Sequence, residues 1–465
     1  MKTEGRRLSA ITDPAHATMT RANRPIEPDE LAGLFAPLFQ AGAVQPVALA
    51  VSGGSDSTAL MVLFAEWLRR EGGDVGRHTV LTVDHALRPE SAAEARAVAV
   101  QAAALGFRHA TLVWESAKPR TGIQAAARKA RYRLMGGYLH AHGIGTLVTA
   151  HTRDDQAETL LMRLGRGSGL DGLAGIAPST RVTPDIDADA LLVIRPLLAV
   201  PKARLIATLE ARGVSWTEDP SNEAPAFERS RLRAASAALE AIGLTGESVA
   251  LSARRLQRAR IALEAVTDSC CTAEGGVHTD RLGFFRIDHE RLARMPEEIY
   301  LRVVGRCIAA AGGVAEPLPL AKLEPIVERL RRCGARERGA WTLARAHIRI
   351  DGGAVHIERE PGRTPLPVVA AAGGSRMLWD GRFTVEVATS LKGTFEVRAL
   401  GADGLAELKR LGRAMRPARA LRLVPAFWRG GDLLAVPTVD FYARPDLDGR
   451  LSAAFVGMRY NSGGR

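Results

Sequence analysis

The sequence predicts an α/β protein: one parallel sheet wrapped by helices on both faces, then a helical/α+β middle part and a small α+β C-terminal part. Three observations carry that reading. Between Pro46 and about Leu198, short apolar runs alternate with amphipathic stretches, the pattern of strand–helix units joined into a parallel sheet. From about Ala234 to Arg336, apolar residues recur mainly at helical spacing. Beyond that, two-residue alternation flanks Asp351-Gly352-Gly353 and Asp380-Gly381, and such turns are the strongest short-range hairpin signal.

In chain order, the opening MKTEGRRLSAITDPAHATMT is polar and has no hydrophobic signal core, so residues 1–28 are expected as a disordered tail of a cytoplasmic protein. Val47–Val51 is a continuous apolar run, expected as a strand buried on both faces. Further strands are expected at Thr79–Asp84, His109–Trp114, Thr146–His151 and Leu191–Arg195. Helices fit between them at Ser57–Arg70, Glu90–Leu105, Ile123–His142 and Asp154–Leu164. The alternation stops near Asp219-Pro220-Ser221-Asn222. The expected division is a tail 1–28, an α/β domain 29–235, a helical middle domain 236–360, a linker 361–375 and a C-terminal α+β domain 376–465. AFWRGGDLLAVP is a further hairpin candidate within the last of these.

A chain of 465 residues has room for two to three domains. No apolar run reaches membrane-spanning length, so no membrane partner is expected. Cys270, Cys271, Cys307 and Cys333 form no CxxC pair, which argues against a zinc site, an iron–sulfur site or a disulfide frame. The formal net charge is +12, and it is clustered. Lys118–Arg133 and Lys409–Arg422 each carry six Lys or Arg and no acid. Such runs suit a polyphosphate partner, although either alone reads equally well as a solvated helix face.

The sharpest signal lies where the first strand ends: Ser52-Gly53-Gly54-Ser55-Asp56-Ser57, followed by Leu60, Val62, Leu63, Phe64 and Trp67 at helical intervals. A strand, a glycine turn and a helix N-terminus hold an anion, because free N–H groups and the helix dipole converge there. The loop has no lysine, so it is not a GxxxxGK[ST] loop, nor does it match GxGxxG. In an open parallel sheet the ligand lies beyond the carboxyl ends of the strands, where Ser52, Asp84 and His151 all fall. Asp84 alone reads equally as a capping acid. On a helix beginning near Arg153, Asp154, Asp155 and Glu158 share one face, three and four residues apart.

Ser52–Ser57 resembles the SGGxDS loop of the PP-loop ATP pyrophosphatases, which split ATP into AMP and pyrophosphate while activating a carbonyl oxygen. The ordered set of segments resembles the tRNA(Ile)-lysidine synthetases. DHxLR stands at Asp84–Arg88, HHxxDDQAET at Ala150–Thr159, RPLL at Arg195–Leu198, D-x-SN at Asp219–Asn222 and RNxxR at Arg229–Arg233. Gly122–Met135 looks like that family's basic helix. The resemblance is strong from Pro46 to Arg233 and weak beyond. Two positions depart: Ala150 replaces the first histidine, and Ser230 replaces the asparagine after Arg229.

The resemblance implies a Rossmann-like PP-loop N-terminal domain that uses ATP and Mg2+. It implies nucleotide contacts from Ser52, Gly53, Gly54, Ser55, Asp56, Ser57, Asp84 and Arg128, with Asp56 also a metal ligand. It implies catalytic roles for Asp56, His151, Asp155, Glu158 and Arg229. The partners would be free L-lysine and tRNA(Ile) with a CAU anticodon, the latter bound by the middle domain 236–360 and the C-terminal domain 376–465, and a homodimer is among the assemblies allowed. The implied reaction adenylates the wobble cytidine and then joins lysine to its 2-position, changing codon reading from AUG to AUA. Another PP-loop tRNA-modifying enzyme, such as a thiolase, and a non-catalytic RNA-binding protein are the alternatives. Which carboxylate acts as general base is left open.

Overall fold

Short apolar runs that need burial on both faces organise the N-terminal part. The computed structural model describes residues 23–36, 45–87, 90–119, 121–182, 191–217, 228–334, 337–362, 365–412 and 418–458. Two units separate: Met1–Arg166 with Leu192–Ala253, and Gly167–Leu191 with Arg254–Arg465. In chain order come α1 (Leu31–Phe35), β1 (Ala48–Ala50), α2 (Ser55–Arg70), β2 (Thr79–Asp84), α3 (Ser91–Ala104), β3 (Arg108–Val113), α4 (Ile123–Ala141), β4 (Thr146–Val148) and α5 (Arg153–Gly165). The short α6 (Leu170–Leu173) and β5 (Ser179–Val182) fall in the second unit. Then β6 (Leu191–Ile194), α7 (Lys202–Ala211), α8 (Glu228–Ala234) and α9 (Ser236–Ala241) follow.

The strands run in the order β3-β2-β1-β4-β6, all neighbours parallel. This is the α/β arrangement that strand–helix alternation predicts. Chain order reverses direction at β1, between β2 and β4, so a crevice opens beyond the carboxyl end of β1. Leu49, Leu60, Leu63, Phe64 and Val80, all fully buried, anchor the core on which α2 packs.

Three boundaries differ from expectation for local reasons. Helix α2 begins at Ser55 rather than Ser57, because the Gly54 carbonyl already accepts from Thr58 N at 2.9 Å. Asp56 therefore sits in its first turn. Strand β4 stops at Val148 rather than His151, because the chain turns for Thr152 to cap α5. The last residues of the expected tail are packed. Ile26 is 1% exposed and its N–H donates to Thr208 Oγ1 at 2.9 Å, while Arg204 holds the carbonyls of Arg24 and Pro25. Residues 1–22 lie outside the described residues.

Helix α10 (Gly246–Cys270) runs from the first unit into the second. The middle part is α+β as expected, but two short strands, β7 (Val277–Thr279) and β8 (Phe285–Asp288), interrupt the stretch of mainly helical spacing before α11 (His289–Ala293), α12 (Glu297–Gly312) and α13 (Leu320–Arg332); β9 (Gly339–Leu343), β10 (Ala346–Asp351) and β11 (Ala354–Arg359) follow. Its antiparallel sheet has the order β7-β8-β11-β10-β9. Strands of three and four residues, such as β7 and β8, are too short for alternation to register.

The remainder comprises β12 (Val369–Ala372), β13 (Arg376–Trp379), β14 (Phe383–Val387), β15 (Thr394–Ala399), α14 (Gly401–Arg410), α15 (Ala418–Leu421), β16 (Pro425–Arg429), β17 (Asp432–Val436), β18 (Phe441–Tyr442) and β19 (Leu451–Phe455). Strand β12 lies inside the expected linker. It pairs with β15 and buries Ala371, so that segment is not a free connector. All three expected hairpins form: β10–β11, β13–β14 and β16–β17. Their turns place Gly352 and Gly353, Asp380 and Gly381, and Gly430 and Gly431 at positive φ, which the twist of a tight hairpin demands. The second unit holds two cores, with Phe455 packed against both. No described helix is long and apolar enough to cross a membrane.

Candidate active site

The loop after β1 is shaped by its own side chains. Gly53 has φ +91°, which side chains rarely adopt, and a Cβ there would crowd Val98 Cγ2 at 3.2 Å. Ser57 Oγ donates to the Gly54 carbonyl at 3.0 Å and accepts from Ser52 N at 3.1 Å. Thr58 Oγ1 and Thr217 N both donate to the Gly53 carbonyl. These bonds hold the turn open at the N-terminus of α2, where Gly54 offers no side-chain cap. The first-turn N–H groups there are left for an anion, alongside exposed Ser52 and buried Ser55.

Asp56 faces this mouth from the first turn. Its Oδ2 lies 3.5 Å from Lys202 Nζ, and its Oδ1 is buried without any hydrogen-bond partner. Burial raises its pKa above the ordinary value; Lys202 opposes that, and Asp155 and Asp154 reinforce it. A partly exposed carboxylate with one buried, bare oxygen suits a cation. Among the described residues, no group of three or more His, Cys, Asp or Glu could hold a metal by itself. Mg2+ would fit Asp56 together with phosphate oxygens, since it commonly binds through one or two carboxylates plus substrate phosphates.

Helix α5 carries the acids. Thr152 Oγ1 accepts from Asp155 N at 3.3 Å, and Asp155 Oδ2 accepts from Thr152 N at 2.8 Å, a reciprocal capping box. Among the described residues, Asp155 makes its hydrogen bonds through Oδ2, leaving Oδ1 for a ligand. Asp154 instead accepts from Lys202 N at 2.8 Å, which fixes α7 beside the site. Glu158 is buried, and both its oxygens accept from Arg233, at 2.6 and 3.4 Å, with Arg229 Nε 3.7 Å away. The Arg233 pKa is raised first by that hydrogen bond with Glu158, and the negative charges of Glu158, Asp155 and Asp56 all add to it. One guanidinium thus lies within the field of three acids drawn from two helices.

His151 lies beside them, bonded through Nδ1 to Thr149 Oγ1 at 2.9 Å. Burial pushes its pKa down to about 4. Asp155 opposes that shift, while Arg195, Arg128 and Arg229 support it. Its imidazole is therefore neutral at pH 7 and edged by three cations. Tyr132 of α4 hydrogen-bonds Arg195. Ala150, where the resembled motif has a histidine, packs against the apolar core instead.

Asp84, at the end of β2, uses Oδ1 to accept from Ala86 N and Ser91 Oγ, both at 2.7 Å. That fixes its own loop, in which Ala86 has φ +47°. Arg131 Nη2 lies 3.3 Å from His85 Nε2. Arg88 and Asp219–Asn222 lie outside the described residues. Lys202, Arg195, Arg233 and Tyr132 were not expected as site residues. Arg195, Arg233 and Tyr132 did stand in quoted segments, but nothing in the local sequence distinguishes Lys202 from a surface residue.

Comparison with known proteins bears on the domain and the family. Residues 29–238 match the PP-loop domain family. The chain is 44% identical over 355 residues to the tRNA(Ile)-lysidine synthase of Bradyrhizobium sp., covering 73% of this chain and 96% of that protein. It is 42% identical to the enzyme of the same name from Methylobacterium nodulans, covering 74% and 99%. It is 36% identical to that from Ruegeria pomeroyi, covering 86% and 90%.

Proposed function

Because the chain belongs to the tRNA(Ile)-lysidine synthase family, we propose how the groups just described divide that family's reaction among themselves. The protein is an ATP-using ligase that modifies tRNA(Ile), and its substrates include tRNA and lysine. The tRNA taken is the one with a CAU anticodon, and the target is its wobble cytidine.

In the first step the cytidine O2 attacks the α-phosphorus of ATP, and the bond to pyrophosphate breaks. The glycine turn and the first-turn N–H groups of α2 receive the phosphates; such transfer is chiefly positioning and charge neutralisation. Arg128, Arg195 and Arg229, the cations around His151, meet the negative charge at the α-phosphate. Neutral His151 orients the base without adding a competing charge. Mg2+, held by Asp56, would neutralise charge on the phosphates.

In the second step the lysine side-chain nitrogen attacks C2, and the C2–O bond breaks to release AMP. An ammonium of pKa about 10.4 is neutral in roughly one molecule in 2,500 at pH 7, so a carboxylate must take its proton. Asp155 suits that task because Oδ1 is uncommitted, whereas Glu158 has both oxygens engaged by Arg233 and acts as a fixed counter-charge. The observation that carries this reading is Lys202, whose backbone N donates to Asp154 Oδ2 at 2.8 Å while its Nζ lies 3.5 Å from Asp56 Oδ2, so that the acidic helix and the phosphate loop meet at one residue.

The test is a single-turnover assay following AMP from α-labelled ATP. ATP and tRNA without lysine should give adenylated tRNA; lysine and ATP without tRNA should give none. Asp155→Ala should slow discharge by added lysine more than it slows adenylation. Discharge at the wild-type rate would remove Asp155 from the lysine site, and loss of adenylation alone would place it on the cytosine or the metal.

A further inference from the structure

Helix α10 spends two of its acids on a neighbouring helix and leaves three of its arginines exposed. Two of its three acids, Glu264 and Asp268, point inward to α12: Arg306 Nη2 donates to Glu264 Oε2 at 2.5 Å and Nη1 to Asp268 Oδ1 at 2.7 Å, and Arg302 Nη1 also donates to Glu264. At 100° per residue, Arg254, Arg258 and Arg255 lie about 80°, 120° and 180° around the helix from Glu264, an arc that Glu247 in the first turn also shares. Ile261, 53% exposed, and Val266, 42% exposed, flank that arc at its two edges.

All three arginines are exposed, and none makes a hydrogen bond or ion pair among the described residues. The sequence explains why. No Asp or Glu stands three or four residues from any of them, whereas Arg332 and Arg410 each find a carboxylate at that spacing, at 2.5 and 2.6 Å. Arg254 and Arg258 are themselves four apart, an arrangement that destabilises a helix by a few tenths of a kcal/mol. Helix stability therefore gives no reason for the cluster. A polyanion does, because each guanidinium placed on a phosphate releases condensed counterions.

We propose that this face of α10 is a contact for the tRNA backbone, in which Arg254, Arg255 and Arg258 lie on phosphates. Ile261 and Val266 then rest against ribose and base edges of the same strand, which covers apolar surface that a row of phosphates alone would leave wet. The proposal rests on the assignment of tRNA as substrate and adds a surface to it. The runs Lys118–Arg133 and Lys409–Arg422 are separate from this arc in sequence.

The experiment measures tRNA(Ile) binding to the full chain over a series of salt concentrations. It compares the wild type with the triple variant Arg254→Gln, Arg255→Gln, Arg258→Gln and with a control, Arg332→Gln. With one phosphate per arginine, the slope of log K against log salt should shrink by about 2 in the triple variant, and affinity near 0.1 M salt should fall on the order of 100-fold. The control should match the wild type. The thermal midpoint of the triple variant shows that exposed glutamines leave the fold intact. Wild-type affinity and slope in the triple variant overturn the proposal. So does loss of binding to anionic phospholipid vesicles with tRNA binding unchanged, which would give the surface to a membrane. Lysidine formation by the wild type is measured in parallel; its failure would overturn the substrate assignment, whereas its success beside an unchanged triple variant overturns only the surface.

Discussion

Replacing Asp56 by asparagine should abolish adenylation and at the same time make the ligand-free protein more stable. The carboxylate Oδ1 is buried with no partner, and leaving a buried acceptor unsatisfied costs about 1–3 kcal/mol. The neighbouring charges of Asp155 and Asp154 add to that cost. Against it stands the contact with Lys202, whose side chain is 40% exposed, so its loss returns at most about 1 kcal/mol. The net gain at pH 7 is roughly 1 kcal/mol, or about 2–4 °C in Tm for a domain of ~200 residues. The pH dependence fixes the cause. The folded pKa lies above the ordinary 3.8, so ionised Asp56 destabilises the fold at neutral pH, and that penalty vanishes as pH falls through the folded value. Thermal unfolding of wild type and Asp56→Asn without ATP or metal should therefore differ at pH 7 and converge in acid. An asparagine variant less stable than wild type at pH 7, or a gap that stays constant into acid, would refute the reasoning. So would near-normal adenylation by a folded variant.

Arg233→Met should strand the Glu158 carboxylate, which is 10% exposed. Because Arg233 itself is half-exposed, the loss should be about 1–2 kcal/mol rather than the larger figure for a fully buried pair; chemical denaturation reads it, and restoration by Glu158→Gln in the same chain would mark the pair as its source. For His151, the unfolded imidazole protonates near 6.5 but the folded one only near 4, so wild-type stability should fall as pH drops through that window. His151→Gln should flatten this fall by on the order of 2 kcal/mol, leaving the similar contribution of His78; an unchanged pH profile would contradict a buried neutral ring.

What the sequence determined by itself was what local chemistry controls. A strand that must be apolar on both faces, a turn that only glycine fits and a helix cap each act over a few residues. Val47–Val51, the glycine turn at Gly53-Gly54 and a helix starting near Arg153 were therefore legible in a single chain, as were hairpins whose Asp-Gly and Gly-Gly turns need positive φ. Ser52, Asp84 and His151 could be placed at one sheet edge because parallel strands end together. The tertiary structure alone decided how each carboxylate is used. Asp155 and Glu158 look alike on a helical wheel, yet one caps its helix and keeps an oxygen free, while the other is engaged by Arg233 from a segment 75 residues later. Lys202 reaches Asp56 only because α7 packs beside α2, across 146 residues of sequence. Strands β7, β8 and β12 were hidden for the same reason: three or four residues carry too little pattern, and their partners supply the hydrogen bonds and burial that make them strands. Charge, exposure and pairing at a distance are properties of neighbours in space, and the order of residues along the chain does not hold them.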